Sequence, residues 1–299
     1  MMSHSGGGAA LGIGTATFIT DYGIGRASQR PGAALVRAAV QRGVRYLDTA
    51  ASYGAGEAAI GAVADLVVAH NVRVCTKVEV DPGATTSASF EAAVRASLAR
   101  LRLESVDTLL LHSAPARTIA APAVAEACRA VRRAGVARRV GASTYGDAAL
   151  TALDADWCDV VQIEFSILNP EVLRAAAARR RPGQEIVARS VLCKGLLTRR
   201  WREAPQVAAA AVAPALEGLE RLAGRWGYEL PELAIRFALD TPGLDVVLVG
   251  VGSADELDVA LRARDRARLA PEQMTALAAF DRSALDAAHP ERWDRVSTS

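Results

Sequence analysis

Cysteine is scarce. The chain has four in 299 residues, namely Cys75, Cys128, Cys158 and Cys193, set far apart and without CxxC spacing. That pattern excludes a disulfide framework and a thiolate metal knuckle, and predicts reduced, mostly buried thiols. His4, His70 and His289 are isolated and form no ligand set with cysteines or carboxylates, so no metal site is expected. No uncharged apolar run reaches the roughly 18 residues a membrane span needs. The opening "MMSHSGGGAALGIG" has no basic segment followed by an apolar core, so a secretory leader is not expected either, and a cytoplasmic location follows. Charge of one sign is not in excess: 35 Lys and Arg against 33 Asp and Glu leave +2, which offers nucleic acid no footing. The densest basic run, "RRRPG" at 179–183, closes an Ala-rich helical stretch and reads as a solvated helix end, where cations suit the dipole. Ser113 has no nucleophile elbow around it and "GIGT" has no lysine after it, which removes a hydrolase triad and a phosphate loop.

What is present is an ordered alternation. With 51% hydrophobic residues the chain can bury a large core. Short β-branched apolar runs fall at 11–18, 45–50, 73–78, 106–112, 138–144, 160–166, 185–192 and 245–251. Stretches of helical period fall between and after them, at 31–43, 57–69, 88–102, 120–134, 146–154, 170–180, 208–226 and 254–265. Eight βα units in one chain predict an α/β fold, a (β/α)8 TIM barrel in a single domain over 9–285. An extra helix at 231–240 lies between strands seven and eight, and a C-terminal helix covers 271–284. Residues 1–8 read as a flexible lead-in and 286–299 as a tail. A monomer or small homo-oligomer is expected.

In such barrels chemistry gathers where strands end. Asp48 and Tyr53 close strand two, Lys77 strand three and His112 strand four. Each alone has an ordinary reading: a cap, a loop aromatic, a snorkelling strand end, a rim histidine. Together they describe a proton-transfer device. Asp48 keeps a buried Lys77 charged, and the ammonium is expected to lower the Tyr53 pKa from about 10 towards neutrality. His112 orients a substrate oxygen. Such a device serves interconversion of a carbonyl and an alcohol.

The motifs "YLDTAASYGAGEAAIG", "CTKVEV", "LLLHS", "VGASTYG", "VQIEFSILN" and "ARSVLCKGLL" together resemble, in order, those of the aldo-keto reductase family, over residues 11–261. The resemblance implies a barrel that binds an extended nicotinamide dinucleotide, NAD(P)(H), without a Rossmann fold. It implies Asp48, Tyr53, Lys77 and His112 as a catalytic tetrad, with Tyr53 the general acid. Carried over position by position, Ser143, Thr144 and Gln162 would hold the nicotinamide carboxamide, Thr144 standing where the family commonly has Asn. Arg189 takes the place of a ring-stacking aromatic. Ser190, Leu192 and Gly195 match the pyrophosphate-side loop, Gly14 and Thr15 end strand one beneath the ring, and Gly250, Gly252, Ser253 and Glu256 lie at the adenosine end. Gly250 and Glu256 occupy positions expected to hold a 2′-phosphate, which leans the reading to NAD(H), although Arg262 and Arg264 lie nearby.

"LGIGTATFITDYGIGR" and "RSVLCKGLL" are similar to a compact bacterial branch of the family in which several members accompany carbohydrate metabolism, so a sugar-like small molecule is the expected substrate. Trp201 is a candidate to flank it. The alternative reading is a dinucleotide-binding regulatory or scaffold protein with little or no turnover.

Overall fold

The computed structural model describes residues 8–18, 32–81, 87–203 and 206–280. The lead-in before Gly8, the tail at 286–299 and the last part of the predicted C-terminal helix lie outside the described residues. Strands β1 (Ala10–Gly14), β2 (Tyr46–Asp48), β3 (Arg73–Val78) and β4 (Val106–His112) are followed by β5 (Ala137–Ser143), β6 (Val160–Glu164), β7 (Glu185–Arg189) and β8 (Val246–Gly250). Each pairs in parallel with its chain neighbour, and β8 returns to β1 to close the barrel. The fold is the (β/α)8 barrel expected from the alternation.

Alternation of side chains along the strands creates two cores. In β4, Leu109 and Leu111 face the helical layer, whereas Leu110 points into the barrel with Tyr46, Cys75, Val160, Val187, Val246 and Leu248. Strands buried on both faces read as continuous apolar runs, which is why they were visible in the sequence. Gly141 lets β5 lie close to β6, since a Cβ there would meet the Val160 carbonyl oxygen at 1.8 Å. All four cysteines are buried and free.

The outer layer comprises α1 (Gly32–Gln41), α2 (Gly56–Gly61), α3 (Ala64–Ala69), α4 (Ser87–Leu101), α5 (Ala116–Ile119) and α6 (Pro122–Arg133). It continues with α7 (Asp147–Asp154), α8 (Glu171–Arg179), α9 (Gln206–Arg225), α10 (Leu230–Asp240), α11 (Ala254–Asp265) and α12 (Pro271–Ala278). None of the described helices is long and apolar enough to cross a membrane.

Several predicted boundaries differ. The first strand stops at Gly14 because Ala16–Phe18 closes into a 3₁₀ turn, the Phe18 amide bonding the Thr15 carbonyl at 2.9 Å. The second strand is shorter than 45–50, and the seventh ends at Arg189 because Ser190, Cys193 and Lys194 adopt φ of 60°, 47° and 53°. The helix expected over 57–69 is two, α2 and α3, and that over 120–134 begins at Pro122 after the separate short α5. The basic run at 179–183 is not simply solvated. Arg180 pairs with Asp245 at 2.9 Å, and Arg181 donates to the carbonyls of Leu153, Ala155 and Cys158.

Candidate active site

Parallel register brings the strand ends to one rim: Gly14 lies beside both Asp48 and Gly250, His112 beside Ser143, and Ser143 beside Gln162. Lys77, on the penultimate residue of β3, is 1% exposed, and its Nζ donates to Asp48 Oδ1 and, at 2.8 Å, to the Thr49 carbonyl. Burial opposes the ammonium charge, but the Asp48 carboxylate, helped by Tyr53 and Cys75, more than offsets it and holds the Lys77 pKa above its ordinary value. The other Asp48 oxygen accepts from Gln162 Nε2 at 2.8 Å, and Gln162 Oε1 accepts from Ser143 Oγ at 2.9 Å. Ser143, Gln162, Asp48 and Lys77 thus form one buried chain of hydrogen bonds across the barrel interior.

After β2 the chain folds back at once. The Ala51 amide bonds the Lys77 carbonyl and the Tyr53 amide bonds that of Ala50, each at 3.0 Å. Gly56 is needed there, because a Cβ would lie 2.6 Å and 2.7 Å from the Thr15 and Thr49 hydroxyl oxygens, which bond each other at 2.8 Å. This turn sets the Tyr53 ring 4.9 Å from Lys77 Nζ and 5.4 Å, edge to face, from the His112 ring. The four ionisable groups predicted to converge do converge.

Their electrostatics differ from the expectation in one respect. Burial raises the Tyr53 pKa, and although Lys77 pulls it down, the net shift is upward. The Lys77 charge is already engaged by Asp48, whose own charge pushes the same way as burial. Tyr53 therefore carries its proton at neutral pH instead of being tuned towards 7. Burial, followed by the Lys77 cation, pushes His112 down to about 4, leaving the imidazole neutral. Its Nδ1 is 3.1 Å from Ser52 Oγ. With Ser52 donating, the ring proton sits on Nε2.

A cavity of about 390 Å³ opens beside these groups. Asp48, Tyr53, Gln162 and Arg189 line its inner end, and Glu229, Glu256 and Val259 its outer end. Gly14, Gly195 and Gly250 border it with bare backbone, and the predicted Ser190 and Leu192 line it together with Lys194, Arg199 and Arg200. Bare backbone and clustered cations suit an extended anion carrying a pyrophosphate, so these residues fit a nicotinamide dinucleotide. Lys77 lies behind this wall. Thr15 and Thr144 are spent on internal bonds, Thr15 to Thr49 and Thr144 to the Ala114 carbonyl at 2.7 Å. Ser143 reaches the wall only through Gln162. Ser253 caps α11 by accepting from the Glu256 amide at 3.2 Å, and the Gly252 amide donates to Glu256 Oε2 at 2.7 Å. Trp201 is not on the wall; it is buried, with Nε1 donating to Glu220 at 3.0 Å.

Sequence reasoning missed Ser52, Lys194, Arg199 and Arg200. One signal was available: only two of the 35 basic residues are lysine, Lys77 and Lys194, and both lie at this mouth. Among the described residues no cluster of three or more His, Cys, Asp or Glu could hold a metal ion.

The aldo/keto reductase family pattern matches residues 10–282. An aldo-keto reductase of Mycolicibacterium smegmatis is 29% identical over 281 residues, 90% of this chain and 97% of that protein. The fold is similar to the holo form of an aldo-keto reductase from Bacillus halodurans, with a TM-score of 0.71 and 22% identity over 95% of this chain and 99% of that one. It is also similar to the glycerol dehydrogenase of Gluconobacter oxydans, with a TM-score of 0.69 and 18% identity over 94% and 92% of the two chains. With its barrel and a match over nearly its whole length, the chain belongs to the aldo-keto reductase family, oxidoreductases of carbonyls and alcohols that generally use NAD(P)H.

Proposed function

We propose that the cavity takes a nicotinamide dinucleotide and that the protein uses it to interconvert an aldehyde or ketone with its alcohol, Tyr53 moving the proton. The observation that carries this reading is the shared cavity wall: the Tyr53 phenol and the Asp48–Gln162 pair line the same space as Lys194, Arg199 and Arg200. The bound dinucleotide would supply the hydride to the carbonyl carbon, or accept it from the alcohol. In reduction Tyr53 gives its proton to the carbonyl oxygen, so that carbon gains hydride, oxygen gains a proton, and an alcohol results. In oxidation the same oxygen of Tyr53 takes the proton back. Neutral His112, proton on Nε2, donates a hydrogen bond to the reacting oxygen and fixes its direction. Lys77 stays charged against Asp48 and stabilises the phenolate that Tyr53 becomes.

Gln162 would exchange its Asp48 contact for the nicotinamide carboxamide. Glu256, at the outer end, favours a free 2′-hydroxyl over a 2′-phosphate and so NAD(H) over NADP(H). A polar, sugar-like substrate suits the charged inner wall. The test is a panel of aldehydes, ketoses and aldoses with both cofactors in both directions, following the absorbance of reduced nicotinamide. Turnover supports the reading. Tight dinucleotide binding without turnover of any carbonyl or alcohol would replace it with a binding or sensing role.

A further inference from the structure

The cavity arginines differ in how their charge is met. Arg199 pairs with Glu229 at 3.2 Å and Arg200 with Glu256 at 2.5 Å. Arg189 has no carboxylate partner among the described residues. Its Nη2 donates to the Thr144 carbonyl at 3.0 Å, its Nη1 to Ser190 Oγ at 3.2 Å, and its guanidinium lies 3.9 Å over the Tyr145 ring. These three contacts are neutral. They fix the direction of the side chain, carrying it from β7 to the loop after β5 across the end of β6 beside its register partner Glu164, and leave it without an ion pair among the described residues. A half-buried cation without a counter-charge is costly, and this chain elsewhere supplies carboxylates even to exposed arginines.

A guanidinium has five N–H donors in a planar fork, and only two are engaged. The remainder can take a carboxylate bidentately. Lys194, likewise without a carboxylate partner among the described residues, sits on the turn at 193–195 that adjoins the pyrophosphate-side positions, so the dinucleotide phosphates have a cation of their own. Arg189 stands nearer the reacting end: it lines the wall with Tyr53, and its charge acts on both Tyr53 and His112.

Resting on the proposed oxidoreductase reading, we infer that Arg189 binds a carboxylate on the substrate, which makes the preferred substrate an oxo acid, such as an aldehyde or sugar acid, and the product the matching hydroxy acid. The rival role for Arg189, a flat surface against the nicotinamide, is blind to substrate charge.

The test compares acids with their methyl esters, which differ only in that charge: 4-oxobutanoate and D-glucuronate, each beside its ester, with the full-length protein and reduced dinucleotide. The wild-type protein is expected to favour each acid by about tenfold or more in kcat/KM. In Arg189→Leu that acid-to-ester ratio should fall by about 10–100-fold, the scale of one charge-assisted bidentate contact. Arg189→Lys, which keeps the charge and loses the fork, should retain an intermediate ratio; it also guards against a Leu variant that fails to fold. Equal rates on acid and ester in the wild type, or a ratio unchanged by Arg189→Leu, would overturn the inference while leaving the oxidoreductase reading intact. Absence of turnover on every carbonyl, acid and ester alike, would overturn both.

Discussion

Tyr53 sits under opposing influences, and their balance fixes its chemistry. Burial raises its pKa and Lys77 lowers it, with burial winning. The phenol therefore holds its proton across the neutral range, which suits a general acid in reduction. His112, held at about 4, stays uncharged over the same range. These two shifts give a pH profile. For carbonyl reduction, kcat/KM should be flat from about pH 5 to about pH 9 and fall only as Tyr53 ionises. Alcohol oxidation, which needs the phenolate, should still be rising at the alkaline end. Profiles in both directions check this; an acidic limb near the ordinary histidine value of about 6.5 would show that His112 charges in the working enzyme and would contradict its neutral role. Asp48, Lys77 and His112 were legible because each polar side chain interrupts an apolar strand end, and Tyr53 because it follows Asp48 closely in the loop. The direction of the Tyr53 shift was not. It depends on how deeply the phenol is buried and on how much of the Lys77 charge Asp48 absorbs, and neither is a property of spacing.

At the scale of elements, the segment after β7 closes against α11. Arg200, in the 3₁₀ turn Arg199–Glu203, reaches Glu256 in the first turn of α11, so the carboxylate expected to repel a 2′-phosphate has its charge partly offset. Arg200→Ala should therefore sharpen cofactor choice. The exposed pair is worth on the order of 1 kcal/mol or less, so KM for NADPH should rise up to about fivefold relative to that for NADH. An unchanged or lower relative NADPH value would show that the Glu256 carboxylate does not repel a 2′-phosphate. Sequence reading located β7 and α11 but could not join them. The contact spans 56 positions and follows a segment that turns through left-handed backbone at Cys193 and Lys194. The same limit explains the divided helix at α2 and α3. Gly61 abuts the end of α4, where a Cβ would meet the Arg100 carbonyl oxygen at 2.2 Å, and an isolated glycine in a helical pattern does not announce such a contact.

For the whole molecule, the end of the barrel opposite the cavity is closed by charge. Arg73 donates to Asp107 at 3.0 Å and to Glu185 at 2.8 Å, and Arg139 bridges the same two carboxylates, linking β3, β4, β5 and β7. Glu185→Ala would leave two guanidinium groups sharing one carboxylate. It should cost about 1–3 kcal/mol in denaturant unfolding, less than a fully buried pair because both arginines remain partly exposed, and should leave kcat/KM unchanged. Burial pushes the Asp107 pKa up, but Arg73 and Arg139 overcome it and hold it below the ordinary value. A carboxylate whose folded pKa is lowered adds stability that is full above its unfolded value of about 3.9 and is lost as pH falls through the folded value. Acid unfolding should accordingly set in below about pH 4, and earlier in Glu185→Ala. The barrel itself could be read from its eight apolar runs, whereas this network could not, since Arg73, Asp107, Arg139 and Glu185 look in sequence like ordinary charged strand starts. At the other end of the barrel lies Tyr53, the proposed carrier of the proton. The most direct measurement is turnover and dinucleotide affinity in Tyr53→Phe: kcat should fall by about 10²–10⁴-fold with dinucleotide binding retained, and an unchanged kcat would contradict the account.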